Sequence, residues 1–277
     1  MVGELEEQCR HLRHYYCPVS MRQVIASVKA GSRLPSNAVT VTVDDGYRDF
    51  LLYAAPVFRA FDIPATVFVA TGFLDGEMLW WDSIEFALRQ ASCREVRVDG
   101  WVYPVVTPEQ RTAALESIGV HAKTLPNRAR MQLIGDLVRE LGVRLPETPP
   151  ADYAPLRWDE VRRLSREGFE FGSHSVSHPV LSRLETPEEL DREIQLSRQR
   201  LQEELGEPPA HFCYPNGQPE DWNETVVNAV SRSGFATACT TIHGVNRRID
   251  SPFRLARLSV NLTFTPEYFA ERLAGIH

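Results

Sequence analysis

The chain has 277 residues, 43% hydrophobic and 24% charged, a balance that can bury a substantial core and excludes a disordered polymer. A formal net charge of -7 argues against a broad basic surface, and so against nucleic acid or an anionic membrane as partner. Five scattered cysteines without a CxxC pair suggest neither a disulfide framework nor a thiolate metal cluster.

The first twenty residues carry charges throughout and hold no apolar core of signal-peptide length. Nowhere downstream is an apolar run long enough to cross a bilayer. As written, the chain is expected in the cytoplasm, and outside it if a leader precedes this sequence. From about residue 39, short β-branched runs alternate with helical periodicity, the pattern of parallel strands joined by crossover helices. Strands are expected at 39–43, 66–70, 169–171, 211–214, 235–239 and 256–260.

Roughly residues 80–155 break the alternation. A Trp80-Trp81-Asp82 patch is followed by a strand-like stretch at 95–106, a helix near 128–141 and a stiff proline-rich return at 145–150. This is an insertion within a single domain spanning 1–277. Beyond it, Trp158, Val161 and Leu164 form the apolar stripe of a helix stopped by Gly168. Thr186-Pro-Glu-Glu189 combines a capping-box spacing with proline at the first helical position. It opens a helix with Leu190, Ile194, Leu201 and Leu205 on one face, ended by Gly206. About six strand-then-helix units make an open or closed barrel-like sheet, whose active residues belong at the C-terminal strand ends. Asp44, Asp45, His174 and Asn216 all follow predicted strands.

Two stretches carry the chemistry. Val41-Thr-Val-Asp-Asp-Gly-Tyr47 sets two carboxylates at the mouth of an apolar run, close enough to repel each other unless a cation lies between them. His174-Ser-Val-Ser-His178 spaces two imidazoles at i, i+4, which on a helix places both on one face. Either alone is common: Asp-Gly is an ordinary turn, and many HxxxH pairs are surface or core histidines. At one end of one sheet they make a divalent metal site. Asp45, His174 and His178 supply an oxygen and two imidazoles and leave positions open, while Asp44, beside the ligand, is the base. Tyr47 follows the carboxylates directly and is placed near substrate. Trp80, Trp81 and Tyr103 either stack against a sugar ring or pack the insertion's own core.

These motifs resemble carbohydrate esterase family 4, the NodB-like polysaccharide deacetylases, over most of residues 38–260. TVDDGY stands where that family has a TFDDG-type motif, HSVSH matches its HSxxH-type motif, and Phe212-Cys-Tyr-Pro-Asn-Gly217 resembles its third. The resemblance implies a distorted (β/α) barrel of the NodB-homology type that hydrolyses N-acetyl groups from an amino sugar in an oligo- or polysaccharide. It implies Asp44 as general base and Asp45, His174 and His178 as ligands of a divalent metal, usually zinc. The main-chain N–H of Asn216 would help form the oxyanion hole, with Ser175 and Ser177 behind the ligands. Tyr214, Pro215 and Arg257 join Tyr47 as candidates for substrate contact.

Three departures qualify the resemblance. The third motif lacks the arginine that orients the base and has Cys213-Tyr214 there, nearer the FxYPxG branch similar to poly-N-acetylglucosamine deacetylases. The base must therefore be held in another way. No histidine stands in the late Arg254-Leu-Ala-Arg257-Leu-Ser stretch where relatives place the general acid, leaving His243 as a substitute or a solvent-facing loop residue. An N-terminal core strand is also missing, so the barrel is expected to be short or open at that edge. A homodimer contact or the N-terminal segment would then cover it. Two other readings stand beside the polysaccharide deacetylase: a deacetylase of a small or carrier-linked sugar, and a noncatalytic metal-containing carbohydrate-binding protein.

Overall fold

The computed structural model describes residues 2–246, 249, 251–261 and 263–275. The chain begins with α1 (Val2–Tyr15), β1 (Cys17–Pro18), α2 (Met21–Ala30), β2 (Ala38–Val39), β3 (Val41–Val43), α3 (Ala55–Ala60), β4 (Ala65–Val69) and α4 (Thr71–Leu74). The stretch expected to be an insertion follows as α5 (Trp80–Gln90), β5 (Glu95–Val98), β6 (Trp101–Pro104), α6 (Pro108–Thr124) and α7 (Asn127–Glu140). The remainder is α8 (Trp158–Arg166), β7 (Glu170–Ser173), α9 (Pro187–Leu205), β8 (His211–Cys213), α10 (Glu224–Arg232), β9 (Thr237–His243), β10 (Leu255–Arg257) and α11 (Pro266–Ala274).

Six strands form one wholly parallel sheet in the order β10-β9-β8-β7-β4-β3. Parallel strands need both faces covered, and β4, Ala-Thr-Val-Phe-Val, is buried at every residue. Its Val67 and Val69 pack into the helical layer with Phe50, Phe58, Val161 and Leu164. Its Thr66 and Phe68 face the inside of the curl. There Phe68 lies with Cys213, Cys239 and Leu255 from three other strands, and Met21 of α2 closes the far end. Gly172 of β7 is required by this packing, because a Cβ would stand 2.6 Å from the Phe68 ring. Below that layer the Thr66 hydroxyl donates to Glu170, and His211 meets Thr237. Glu170 also accepts the Arg22 N–H at the N-terminus of α2, satisfying a donor that the first turn of a helix leaves free.

Among the described residues no strand pairing closes the curl. Its outer strands β3 and β10 are bridged by a side chain, Arg257, which donates to Thr42 across the seam at 3.1 Å. The N-terminal segment joins the fold through a two-residue parallel pair, β1 with β2, while α1 packs against α3 and α11.

Residues from Trp80 to Val143 have a hydrophobic cluster of their own, built on Ile84, Leu88, Ile118, Ile134 and Leu137. The strand-like stretch is an antiparallel hairpin, and the expected helix near 128–141 is α7. Helix α6 has no counterpart in the expected elements. Its buried stripe is only Ala114, Ile118 and Ala122, too thin and too poor in large side chains to announce a helix. Trp80 is 5% exposed and belongs to this cluster rather than to a sugar-binding surface, and Tyr103 packs against the same cluster. Among the described residues no helix is long and apolar enough to cross a membrane.

Candidate metal centre

The functional side chains gather at the C-terminal ends of the strands. After β3 the chain turns through Asp45 at φ 72° and Gly46 at φ 95°. Glycine is needed at 46 both for that φ and because a Cβ would meet the Leu74 and Val69 side chains at 2.9 and 3.0 Å. The Asp45 carbonyl accepts the Ala70 N–H at 3.1 Å, pinning the turn to the end of β4.

His174 follows β7 and its backbone N–H donates to the Val69 carbonyl at 2.9 Å. The HSVSH segment is not a helix, as its spacing suggested, but an irregular loop with Ser175 at φ 67° and His178 at φ 53°. Helical geometry would leave its N–H groups without this set of partners. The Val176 and Ser177 N–H groups both donate to Glu193 of α9 at 2.9 Å, and the Ser177 hydroxyl donates to the same carboxylate at 2.6 Å. The Ser175 hydroxyl oxygen accepts the His178 N–H at 3.1 Å.

The result is a triangle of donor atoms. Asp45 Oδ1 lies 3.5 Å from His174 Nε2 and 3.4 Å from His178 Nε2, and the two nitrogens are 3.2 Å apart. Ligand atoms about 2.0–2.1 Å from a tetrahedral zinc sit about 3.3 Å from one another, so the triangle has the dimensions of three such ligands. Its protonation fits as well. His174 Nδ1–H donates to the Cys213 carbonyl at 2.7 Å, leaving Nε2 as a lone pair. Burial pushes both imidazoles below their ordinary pKa, His178 well below it with help from His174. Burial, then the charges of Asp44 and Asp82, pushes the Asp45 carboxyl up to about 7, a cost that a bound cation would offset.

A second group, Asp44, His174 and Cys213, also lies within metal-binding reach, but its donors are already engaged. Both Asp44 oxygens accept from the Arg257 guanidinium at 2.7 Å, and Cys213 Sγ stands 3.1 Å from the same group. Burial holds the Cys213 thiol well above its ordinary pKa. For Asp44 burial opposes ionisation, yet the charge and hydrogen bonds of Arg257 prevail and hold the carboxyl at about 2. The structure sets Arg257, a candidate for substrate contact by sequence, against Asp44, Thr42 and the Thr240 carbonyl. Its fork is spent on the carboxylate beside the triangle, the task for which the third motif offered no arginine.

Other expected site residues are placed elsewhere. Tyr214 is fully buried, stacked on Trp222 with its hydroxyl donating to the Phe253 carbonyl, and Pro215 is buried too. The Tyr214 ring packs with Phe212, Val226 and Val230 between β8 and α10. Asn216, at φ 60°, turns the chain at the end of this motif, with its carbonyl held by the Thr241 hydroxyl. His243 is exposed at the end of β9, its Nδ1 3.1 Å from Arg272, and among the described residues no hydrogen bond or ion pair joins it to the triangle. The Tyr47 hydroxyl is committed within the protein, donating to Asp82 at 2.8 Å and accepting from the Trp81 indole at 2.9 Å. Glu193, Trp81 and Asp82 support the site without any local spacing that marks them, since each comes from a distant element.

Residues 31–238 match the polysaccharide deacetylase family, and the chain belongs to that family. A stretch of 62 residues is 42% identical to the poly-beta-1,6-N-acetyl-D-glucosamine N-deacetylase of Escherichia coli (strain K12). It covers 22% of this chain and 9% of that protein. Among solved structures, the deacetylase PplD of Streptococcus pyogenes superposes with a TM-score of 0.63 at 17% identity, covering 98% of this chain and 86% of the other. IcaB of Ammonifex degensii gives 0.61 at 18% identity over 99% of this chain and 88% of its own. A de-N-acetylase of Aggregatibacter actinomycetemcomitans gives 0.64 at 17% identity over 98% and 88%. At these identities the structures share the fold, an α/β half-barrel around a curled parallel sheet, as the sequence pattern anticipated.

Proposed function

We propose that this protein is a zinc-dependent N-deacetylase of an acetylated amino sugar within an oligo- or polysaccharide. The observation that carries the reading is the triangle of Asp45, His174 and His178 beside a carboxylate, Asp44, that Arg257 keeps ionised and aimed. A divalent cation bound there supplies Lewis acidity toward an amide carbonyl and makes a neighbouring water more acidic. Asp44, held ionised, would accept the proton of the attacking water on a carboxylate oxygen. The Asn216 main-chain N–H is the candidate donor to the developing oxyanion. Burial keeps the imidazoles neutral and therefore able to ligate. The identity shared with the E. coli enzyme supports β-1,6-linked N-acetylglucosamine as the first sugar to try.

The test is acetate release by the zinc-loaded protein from β-1,6-linked N-acetylglucosamine oligomers and from small or carrier-linked acetylated sugars. Asp44→Asn is expected to lower release by about 10²- to 10⁴-fold with zinc content unchanged, and His174→Ala and His178→Ala to lose zinc. Equal, negligible release by the native chain and Asp44→Asn, both holding zinc, would overturn the enzyme reading in favour of a noncatalytic carbohydrate-binding protein.

A further inference from the structure

The two histidines of the triangle are held in different ways. A metal-ligating imidazole ordinarily donates its second N–H to a carbonyl or carboxylate, which fixes its tautomer and its plane. His174 does so through Cys213. His178 does not: its Nδ1 is buried and meets no hydrogen-bond partner from another described residue, its backbone contact being with its own residue, and its backbone sits at φ 53°, in the left-handed region that few non-glycine residues occupy. Something other than a hydrogen bond to the ring must hold it.

The first turn of α5, at the start of the insertion, surrounds it. The Trp80 indole N–H donates to the His178 carbonyl at 3.2 Å, and the buried Arg130 guanidinium lies over the Trp80 ring, 5.1 Å from its centroid. The Trp81 ring stands edge-on against the His178 imidazole, with centroids 4.5 Å apart and planes at 76°. Trp81 is itself fixed, since its indole N–H donates to Tyr47 Oη at 2.9 Å, and Tyr47 donates on to Asp82 at 2.8 Å. Asp82 is 3% exposed and adjoins Trp81 in sequence, while Tyr47 lies two residues from Asp45. The contacts therefore run in a circuit from one ligand loop, through the insertion, to the other.

We propose that Trp81, Tyr47 and Asp82 are positioning residues that orient His178 for metal binding by a packed indole in place of the usual hydrogen bond. The insertion is on this account part of the metal centre. A hydrogen bond to the ring would fix both tautomer and tilt, whereas a packed aromatic edge fixes tilt alone and needs its own anchor, which the Tyr47–Asp82 pair provides. The proposal rests on the ligand set assigned above.

The experiment compares zinc affinity, by competition with a chromophoric chelator, and the visible spectrum of the cobalt-substituted protein. It uses the full-length native chain, His178→Ala, Trp81→Ala, Trp81→Phe, Tyr47→Phe and Asp82→Asn. Trp81→Ala is expected to weaken zinc binding by about 10- to 100-fold, the range seen when groups supporting a ligand are removed, and to alter the cobalt d–d bands. Tyr47→Phe and Asp82→Asn should shift both readouts in the same direction by less, and Trp81→Phe, which keeps a ring edge, should recover much of the loss. Folded Tyr47→Phe and Asp82→Asn proteins with native zinc affinity and native cobalt bands would overturn the proposal, even if Trp81→Ala failed to fold. Absence of zinc binding by the native chain, or native affinity in His178→Ala, would instead overturn the ligand assignment.

Discussion

At the scale of single residues, the decisive contact is between Arg257 and Asp44. A guanidinium presents two parallel donors to a carboxylate in a fixed plane, and here both oxygens are taken at 2.7 Å. Arg257→Lys keeps a charge but loses the fork, so a misaimed base is expected to lower kcat/KM for acetate release by about 10- to 100-fold. Arg257→Ala removes the largest charge opposing burial at Asp44, leaving only the smaller effects of His174 and His178, and its carboxyl should titrate higher than about 2. The acidic limb of the kcat/KM profile should therefore move to higher pH, and an unmoved limb would contradict Asp44 as the group titrating there. Cys213 explains why the partner arrives from another strand. At its position an arginine would have to share the space the thiol now occupies, 3.1 Å from the Arg257 guanidinium and beneath Asp44.

At the scale of elements, the ligand loops are held by groups from helices that carry no ligand. Glu193 of α9 accepts two backbone N–H groups and a hydroxyl from the HSVSH loop. Glu193→Ala leaves those donors without their acceptor and should cost about 1–3 kcal/mol, read as a lower midpoint of urea unfolding, with weaker zinc binding because His178 follows the loop. Much of the scaffold was legible in sequence. The β-branched runs of β3 and β4, the capping signal of α9 and the glycine that ends it all mark their elements, because each rule acts within a few residues. The HxxxH spacing misled in detail: the residues converge without a helix, since two left-handed φ angles and the Glu193 carboxylate do what a helical turn would have done.

At the scale of the whole molecule, the titrating groups of the candidate metal centre tie folding to pH, and a bound cation would tie it to the metal as well. The folded-state pKa of Asp45 is raised to about 7 from 3.8, so the folded chain binds a proton there more tightly than the unfolded one. Its contribution is fully present below about pH 4 and is lost as pH rises toward 7. The buried histidines act in the other direction, since their folded pKa lies below 6.5 and stability is lost as pH falls through that value. Asp45→Asn isolates the first effect: the metal-free variant should gain stability relative to the native chain as pH rises from 5 to 8. Zinc should reverse that ranking. Calorimetry in buffers of different ionisation enthalpy should also show proton release on zinc uptake by the native chain at pH 6, and less in Asp45→Asn.

The sequence by itself determined the alternation of strands and helices, the carboxylate pair at a strand end and the imidazole pair that follows another strand, because local propensity and short motifs encode them. Tertiary structure alone decided what completes the site. Asp44 and Arg257 are 213 residues apart and meet only because the six-stranded sheet curls until its two outer strands face each other. Trp81 reaches His178 only because an insertion with its own core folds back over the metal loops. No spacing in a linear chain records how far a sheet will curl or where an insertion will dock, since both are set by side chains packing from every strand at once.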